Sequence, residues 1–100
     1  MSDPVTFMNV LDVEPSKQQE LLDLLAEGTE KVVSHRPGFV SVTLLASADG
    51  GRVVNIARWE SADAVRATQA DPEAAQYARR TAEIATAAPG IYRVVAEFGA

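Results

Sequence analysis

The stretch Val53-Val54-Asn55-Ile56-Ala57-Arg58-Trp59-Glu60-Ser61 decides how this chain is read. It alternates with the period of two that a strand requires, then stops at a Ser suited to cap a helix. Alternation puts Val53, Asn55, Ala57 and Trp59 on one face and Val54, Ile56 and Arg58 on the other. The first row is unusual for a packed core. A carboxamide and the chain's one Trp stand four residues apart, with only the small Ala57 between them. The row reads as the floor of a pocket.

Upstream, residues 39–47 form a second strand, with Phe39, Ser41, Thr43 and Leu45 on one face and Val40, Val42, Leu44 and Ala46 on the other. Ala48-Asp49-Gly50-Gly51 is a turn signal that folds the two strands into an antiparallel hairpin. Residues 5–13 form a first strand in which Asn9 interrupts the apolar row Val5, Phe7, Leu11, Val13. Between these strands, Ser16 with Gln19 fits a capping box. An apolar stripe of Leu21, Leu24, Leu25, Gly28 and Val32 then predicts a helix to about Ser34. Pro37-Gly38 ends it. Downstream, Ser61 caps a short helix over 62–69, and Asp71-Pro72 restarts a helix that runs to Ala85 or slightly beyond. Ala88-Pro89-Gly90 breaks that helix, and Ile91 to Phe98 is expected as the last strand.

The order β-α-β-β-α-β, with the second helix split, predicts the α+β ferredoxin-like fold: a four-stranded antiparallel sheet with helices on one face. Residues 1–100 are expected to form one domain. The uncovered face would show Val10, Val40, Val42, Leu44, Val54 and Ile56, a contiguous apolar surface that calls for a partner. A second copy, joined sheet face to sheet face as a dimeric α+β barrel, satisfies both at once.

Composition narrows the function classes. The net charge of −5, from 14 acidic and 9 basic residues, opposes phosphate backbones, so no nucleic-acid partner is expected. No apolar run has the length of a membrane span. Met1-Ser2-Asp3-Pro4 lacks the features of a signal peptide, which makes a cytoplasmic location the expectation. With no Cys and one His, the chain has neither a nucleophilic triad nor a thiolate metal site, and no metal is expected. It carries no flavin or nicotinamide fingerprint.

Pro37-Gly38-Phe39 opening the second strand, and Asn55-x-x-x-Trp59-Glu60-Ser61 ending the third, resemble the antibiotic-biosynthesis monooxygenase family over nearly the whole chain. The likeness is strongest to cofactor-independent members that oxidise anthrone-type polyketides to quinones. It implies a small aromatic substrate, O2 and no cofactor. The resemblance assigns Asn55, Trp59 and Arg79 to catalysis and places Leu45 and Val65 at substrate-binding positions; Asn9, Phe39 and Tyr77 are read as further substrate-binding residues, Tyr77 also as a candidate proton donor. Two positions depart from the family pattern: Val65 stands where relatives can carry Tyr, and Leu45 where they can carry His. The haem-degrading branch places a His where this chain has Tyr77, so haem is not expected.

Chemically, the Asn55 amide suits a hydrogen bond to a phenol or enolate oxygen, or else a bond to neighbouring backbone. Trp59 offers a flat apolar wall and one N–H donor, or simply fills a strand end. Arg79 suits an anion or a peroxide, though not the role of base, and is otherwise a solvated surface side chain. The competing reading is a barrel of the same fold that binds a small aromatic molecule without oxidising it.

Overall fold

The computed structural model describes residues 3–100. Met1 and Ser2, the head of the stretch read above as lacking a signal peptide, lie outside them. The elements are β1 (Val5–Val13), α1 (Gln18–Lys31), β2 (Phe39–Ala46), β3 (Arg52–Trp59), α2 (Ala62–Gln69), α3 (Pro72–Ile84) and β4 (Ala85–Tyr92). They form one antiparallel sheet of order β2-β3-β1-β4. This is the expected ferredoxin-like α+β fold.

Local chemistry explains most of the boundaries. Ser61 Oγ accepts from the Ala64 N–H at 3.1 Å, which starts α2, and an Asp71 carboxylate oxygen accepts from the Ala74 N–H at 3.1 Å, which starts α3. Pro72 occupies the first turn, where its missing N–H leaves nothing unpaired. The capping box does not form. Ser16 lies in a single 3₁₀ turn (Pro15–Lys17) ahead of α1, and the Gln19 amide donates instead to Asp23 at 2.9 Å.

Two further expectations are corrected. The last strand is Ala85–Tyr92, not 91–98. Pro89 rules out the helix that Ala85 to Ala88 would favour, because its ring clashes with the carbonyl four residues back and pushes Ala88 into extended backbone. β4 pairs only with β1 and so lies at the sheet edge, where a strand tolerates Pro. Residues 93–100 form no strand and are exposed, including Val94, Val95 and Phe98.

The second correction is a β-bulge. Phe39 pairs with Trp59, yet Ser41 pairs with Arg58, so β2 carries one extra residue, Val40. Beyond the bulge the faces exchange. Val42, Leu44 and Ala46 share the face of Phe39, opposite Ala57, Asn55 and Val53, and this is the face the helices cover. Leu45 crosses to the open face, opposite Val54, and is 47% exposed. The open face therefore shows Met8, Val10, Leu45, Val54 and Ile56 rather than Val42 and Leu44.

The covered face holds two apolar clusters. Leu11, Val13, Leu21 and Val53 pack with Leu25 and Ile84 at one end of the sheet. At the other end Ala57, Trp59 and Val65 pack with Phe7, Val33, Phe39 and Val42.

Candidate functional site

A cavity of about 110 Å³ opens in the second cluster. The sheet gives its floor: Phe7, Val42, Asn55, Ala57 and Trp59. Thr29 of α1, with Val33 just beyond that helix, forms one wall, and Val65, Thr68 and Gln69 of α2 form the other. Asn55 and Trp59 share this floor because β3 alternates, and Ala57 between them is too small to fill the space. Trp59 is held edge-on by Phe39, with centroids 5.6 Å apart and planes at 88°. That perpendicular contact fixes the indole and matches the favoured geometry of aromatic pairs.

Asn9 stands directly opposite Asn55 in the β1–β3 register. Both side-chain oxygens are buried and neither has a hydrogen-bond partner. A buried polar atom without a partner is rare and unfavourable, and at a cavity it marks a place for a guest. A carboxamide carries a donor and an acceptor, and a half-turn about its last bond exchanges them. The floor can thus bind a phenol or an enolate.

The remaining polar atoms are weaker. Thr29 Oγ1 donates to the Leu25 carbonyl at 2.8 Å and Thr68 Oγ1 to the Ala64 carbonyl at 2.9 Å, so each hydroxyl proton is already committed. None of the lining side chains is an acid, a base, a Lys or an Arg. The site offers shape, aromatic surface and amides, and no proton acceptor of its own.

The expected residues are not all gathered here. Asn55, Trp59 and Val65 line the cavity, Phe39 backs the indole, and Asn9 lies beside Asn55. Leu45 does not reach it, because the bulge turns it to the far side of the sheet. Arg79 is exposed and lines no part of it. Tyr77 packs on Gly28, where an added methyl would come within 3.0 Å of its ring, and the Arg80 guanidinium lies over that ring, 5.2 Å from its centroid. The Tyr77 phenol, followed by Lys31 and Arg80, holds the Glu27 carboxyl below the usual carboxylate range. Tyr77 is therefore engaged between α1 and α3. A wider cleft of about 380 Å³ between those helices is lined by Glu20, Asp23, Glu27, Glu83 and Arg80 around Leu24 and Ile84, and its carboxylates make it a poor setting for an apolar ring.

Phe7, Thr29, Val33, Val42, Thr68 and Gln69 were not read as lining residues. For α2 the signal was present: Val65, Thr68 and Gln69 fall at i, i+3 and i+4, one face of a helix. Phe7 precedes Asn9 by two on the same face. Val42 was hidden by the bulge. Among the described residues no cluster of acids and His is arranged to hold a metal, and no helix is long and apolar enough to cross a membrane.

Comparison with known proteins agrees with the fold. The family model for "Antibiotic biosynthesis monooxygenase" matches residues 4–80. Tetracenomycin-F1 monooxygenase of Streptomyces glaucescens is 41% identical over 98 residues, covering 98% of this chain and 88% of that protein. The crystal structure of SnoaB, a cofactor-independent oxygenase from Streptomyces nogalater, superposes with a TM-score of 0.79 at 29% identity, over 96% of this chain and 97% of that one. Rv0793 from Mycobacterium tuberculosis shares the fold, with a TM-score of 0.80 at 24% identity over 97% of this chain and all of its own (100%). By sequence and by architecture, this chain belongs to the antibiotic biosynthesis monooxygenase family.

Proposed function

We propose that this protein, read as one domain over 1–100, is a cytoplasmic, homodimeric, cofactor-independent monooxygenase that oxidises a polycyclic phenol or anthrone to a quinone with O2. The observation that carries this reading is the pocket itself: an aromatic-lined space with a buried, unpaired amide oxygen on its floor at Asn55 and no titratable side chain among its lining residues. Such a site suits a substrate acidic enough to ionise with little help. Asn55, with Asn9 behind it, stabilises the enolate oxygen as charge develops, and Trp59 with Phe39 holds the ring plane.

The conjugated enolate gives one electron to O2, and the resulting radicals combine at the ring carbon as a peroxide. Loss of water leaves the carbonyl, so one oxygen atom enters the product and the other leaves as water. The ring supplies the electrons and both hydrogens of that water: the proton lost on ionisation returns to the peroxide, and the second leaves the ring carbon as the O–O bond breaks. Names of relatives support the reaction class, since one is a tetracenomycin-F1 monooxygenase and another a cofactor-independent oxygenase. Arg79, exposed in the single chain, is assigned here no contact with substrate.

Incubating the purified protein with an anthrone under 18O2 tests this. One labelled atom per quinone is expected, with no product under argon and a steep loss of rate in Asn55→Ala. Product that forms without O2, or at unchanged rate in that variant, overturns the reading. Binding that raises the melting temperature without turnover would instead identify a non-oxidising binding protein.

The dimer rests on the open face of Met8, Val10, Leu45, Val54 and Ile56, with the exposed Val94, Val95 and Phe98 beyond it. An apolar face of this kind is closed most simply by its own copy about a two-fold axis. Light scattering checks it: a dimer for the natural protein, and a shift to monomer in Val54→Asp.

A further inference from the structure

The three walls of the cavity are not held equally. The floor belongs to a continuous hydrogen-bonded ladder. The α1 wall is part of a 14-residue helix anchored by buried Leu21 and Gly28. The α2 wall is a helix of eight residues, set between two caps, that buries only Val65 and Thr68.

The two ends of α2 also differ. The first turn is pinned: the Glu60 N–H donates to the Gly38 carbonyl at 2.8 Å, and Ala64 sits so close to Gly38 that a methyl added there would be 2.5 Å from the Ala64 methyl. Just past the far end, at the cap of α3, there is one side-chain tie to the rest of the molecule among the described residues: Arg36 Nη1 donates to Asp71 Oδ1 at 3.4 Å. That guanidinium is poorly satisfied, because its Nε is buried without a partner.

Space then decides. An apolar cavity of about 150 Å³ accommodates benzene. The roughly 110 Å³ present here is smaller than that and only half enclosed, so a wall that yields would widen it for a fused-ring guest. The wall that can yield is α2.

We propose that α2 is a hinged lid: it pivots about Ser61 and the Gly38–Ala64 contact, swings Thr68 and Gln69 away from Asn55 and Trp59, and is latched by Arg36 on Asp71. What the lid admits rests on the proposed aromatic substrate. The hinge itself belongs to the free protein.

Hydrogen exchange on the ligand-free protein reads it directly. In Arg36→Met, which keeps the apolar stem, and in Asp71→Asn, which keeps an oxygen for the Ala74 N–H, the amides of 65–70 are expected to exchange about tenfold faster, the scale of one charge-assisted hydrogen bond. Amides 21–28 of α1 should hold their rates. Unchanged exchange over 65–70 in both variants, or equal acceleration of α1, overturns the lid. A second measurement follows quenching of the only Trp, Trp59, by a dihydroxyanthraquinone in stopped flow. Association and dissociation rates should rise together in both variants, with little change in Kd. A loss of affinity through faster dissociation alone overturns the latch. Faster exchange over 65–70 with no anthraquinone binding even to the natural protein upholds the lid and counts against the substrate reading.

Discussion

The same two strands, β1 and β3, are packed in opposite ways at their two ends. Around Leu11 and Val53 the space beneath the sheet is filled: both are fully buried, and Leu21 of α1 closes on them. Around Asn9 and Asn55, two residues further along each strand, the same face carries carboxamides with unpaired oxygens, and Ala57 leaves a gap. Interior packing elsewhere leaves few voids and few orphaned polar atoms. The contrast assigns stability to the first end and chemistry to the second. Two residues of strand separate them.

That division is broken most directly by exchanging the costs. Leu11→Ala should lower stability by about 2–5 kcal/mol, the range for a large side chain removed from a tight core, read as a lower urea midpoint. Turnover by the protein that remains folded should persist. Asn55→Ala should do the reverse. It removes a buried oxygen that has no partner, so stability should move by less than about 1 kcal/mol, while turnover falls about a hundredfold. If Asn55→Ala unfolds the protein as Leu11→Ala does, the amide is structural and the comparison fails. Gly38→Ala comes next. Its φ of +87° and the 2.5 Å approach to Ala64 predict a loss of roughly 1–3 kcal/mol, seen as a lower melting temperature, at the end of the sheet where α2 is pinned.

Much of this architecture was legible in the sequence, and the gaps have physical causes. The β3 row Asn55–Ala57–Trp59 could be read because each residue differs in kind from its neighbours on the other face. The β2 faces could not, since both rows of Phe39 to Ala46 are largely apolar and a one-residue bulge leaves no trace in such a pattern. That single residue moved Leu45 out of the pocket and Val42 into it. β4 was expected six residues too late because Ala85 to Ala88 favours helix locally, and only the backward reach of Pro89 says otherwise. The choice between Arg79 and Arg80 depends on helix phase. Adjacent helical residues point about 100° apart, and it is Arg80 that turns to Tyr77 and Glu27.

The smallest effect should come from the turn that closes the filled end. Asp49 Oδ1 accepts from the Gly51 N–H at 2.9 Å and the Ser47 hydroxyl at 2.8 Å, and Gly50 supplies the positive φ of 81° that the turn needs. The Gly51 N–H first, and the Ser47 hydroxyl next, hold the Asp49 carboxyl below its ordinary range. A carboxyl whose pKa is lower folded than unfolded adds stability above the unfolded value and loses it as pH falls through the folded one. The melting temperature of the natural protein should therefore decline on acidification through the carboxylate range. Asp49→Asn retains an oxygen acceptor and should remove part of that slope; Glu27, lowered in the same sense, retains the rest. Turnover at neutral pH should not respond to this variant, since the turn adjoins the end of the sheet that carries no pocket. A change in turnover there would show that the two ends communicate, and the division between filled and hollow halves would need to be redrawn.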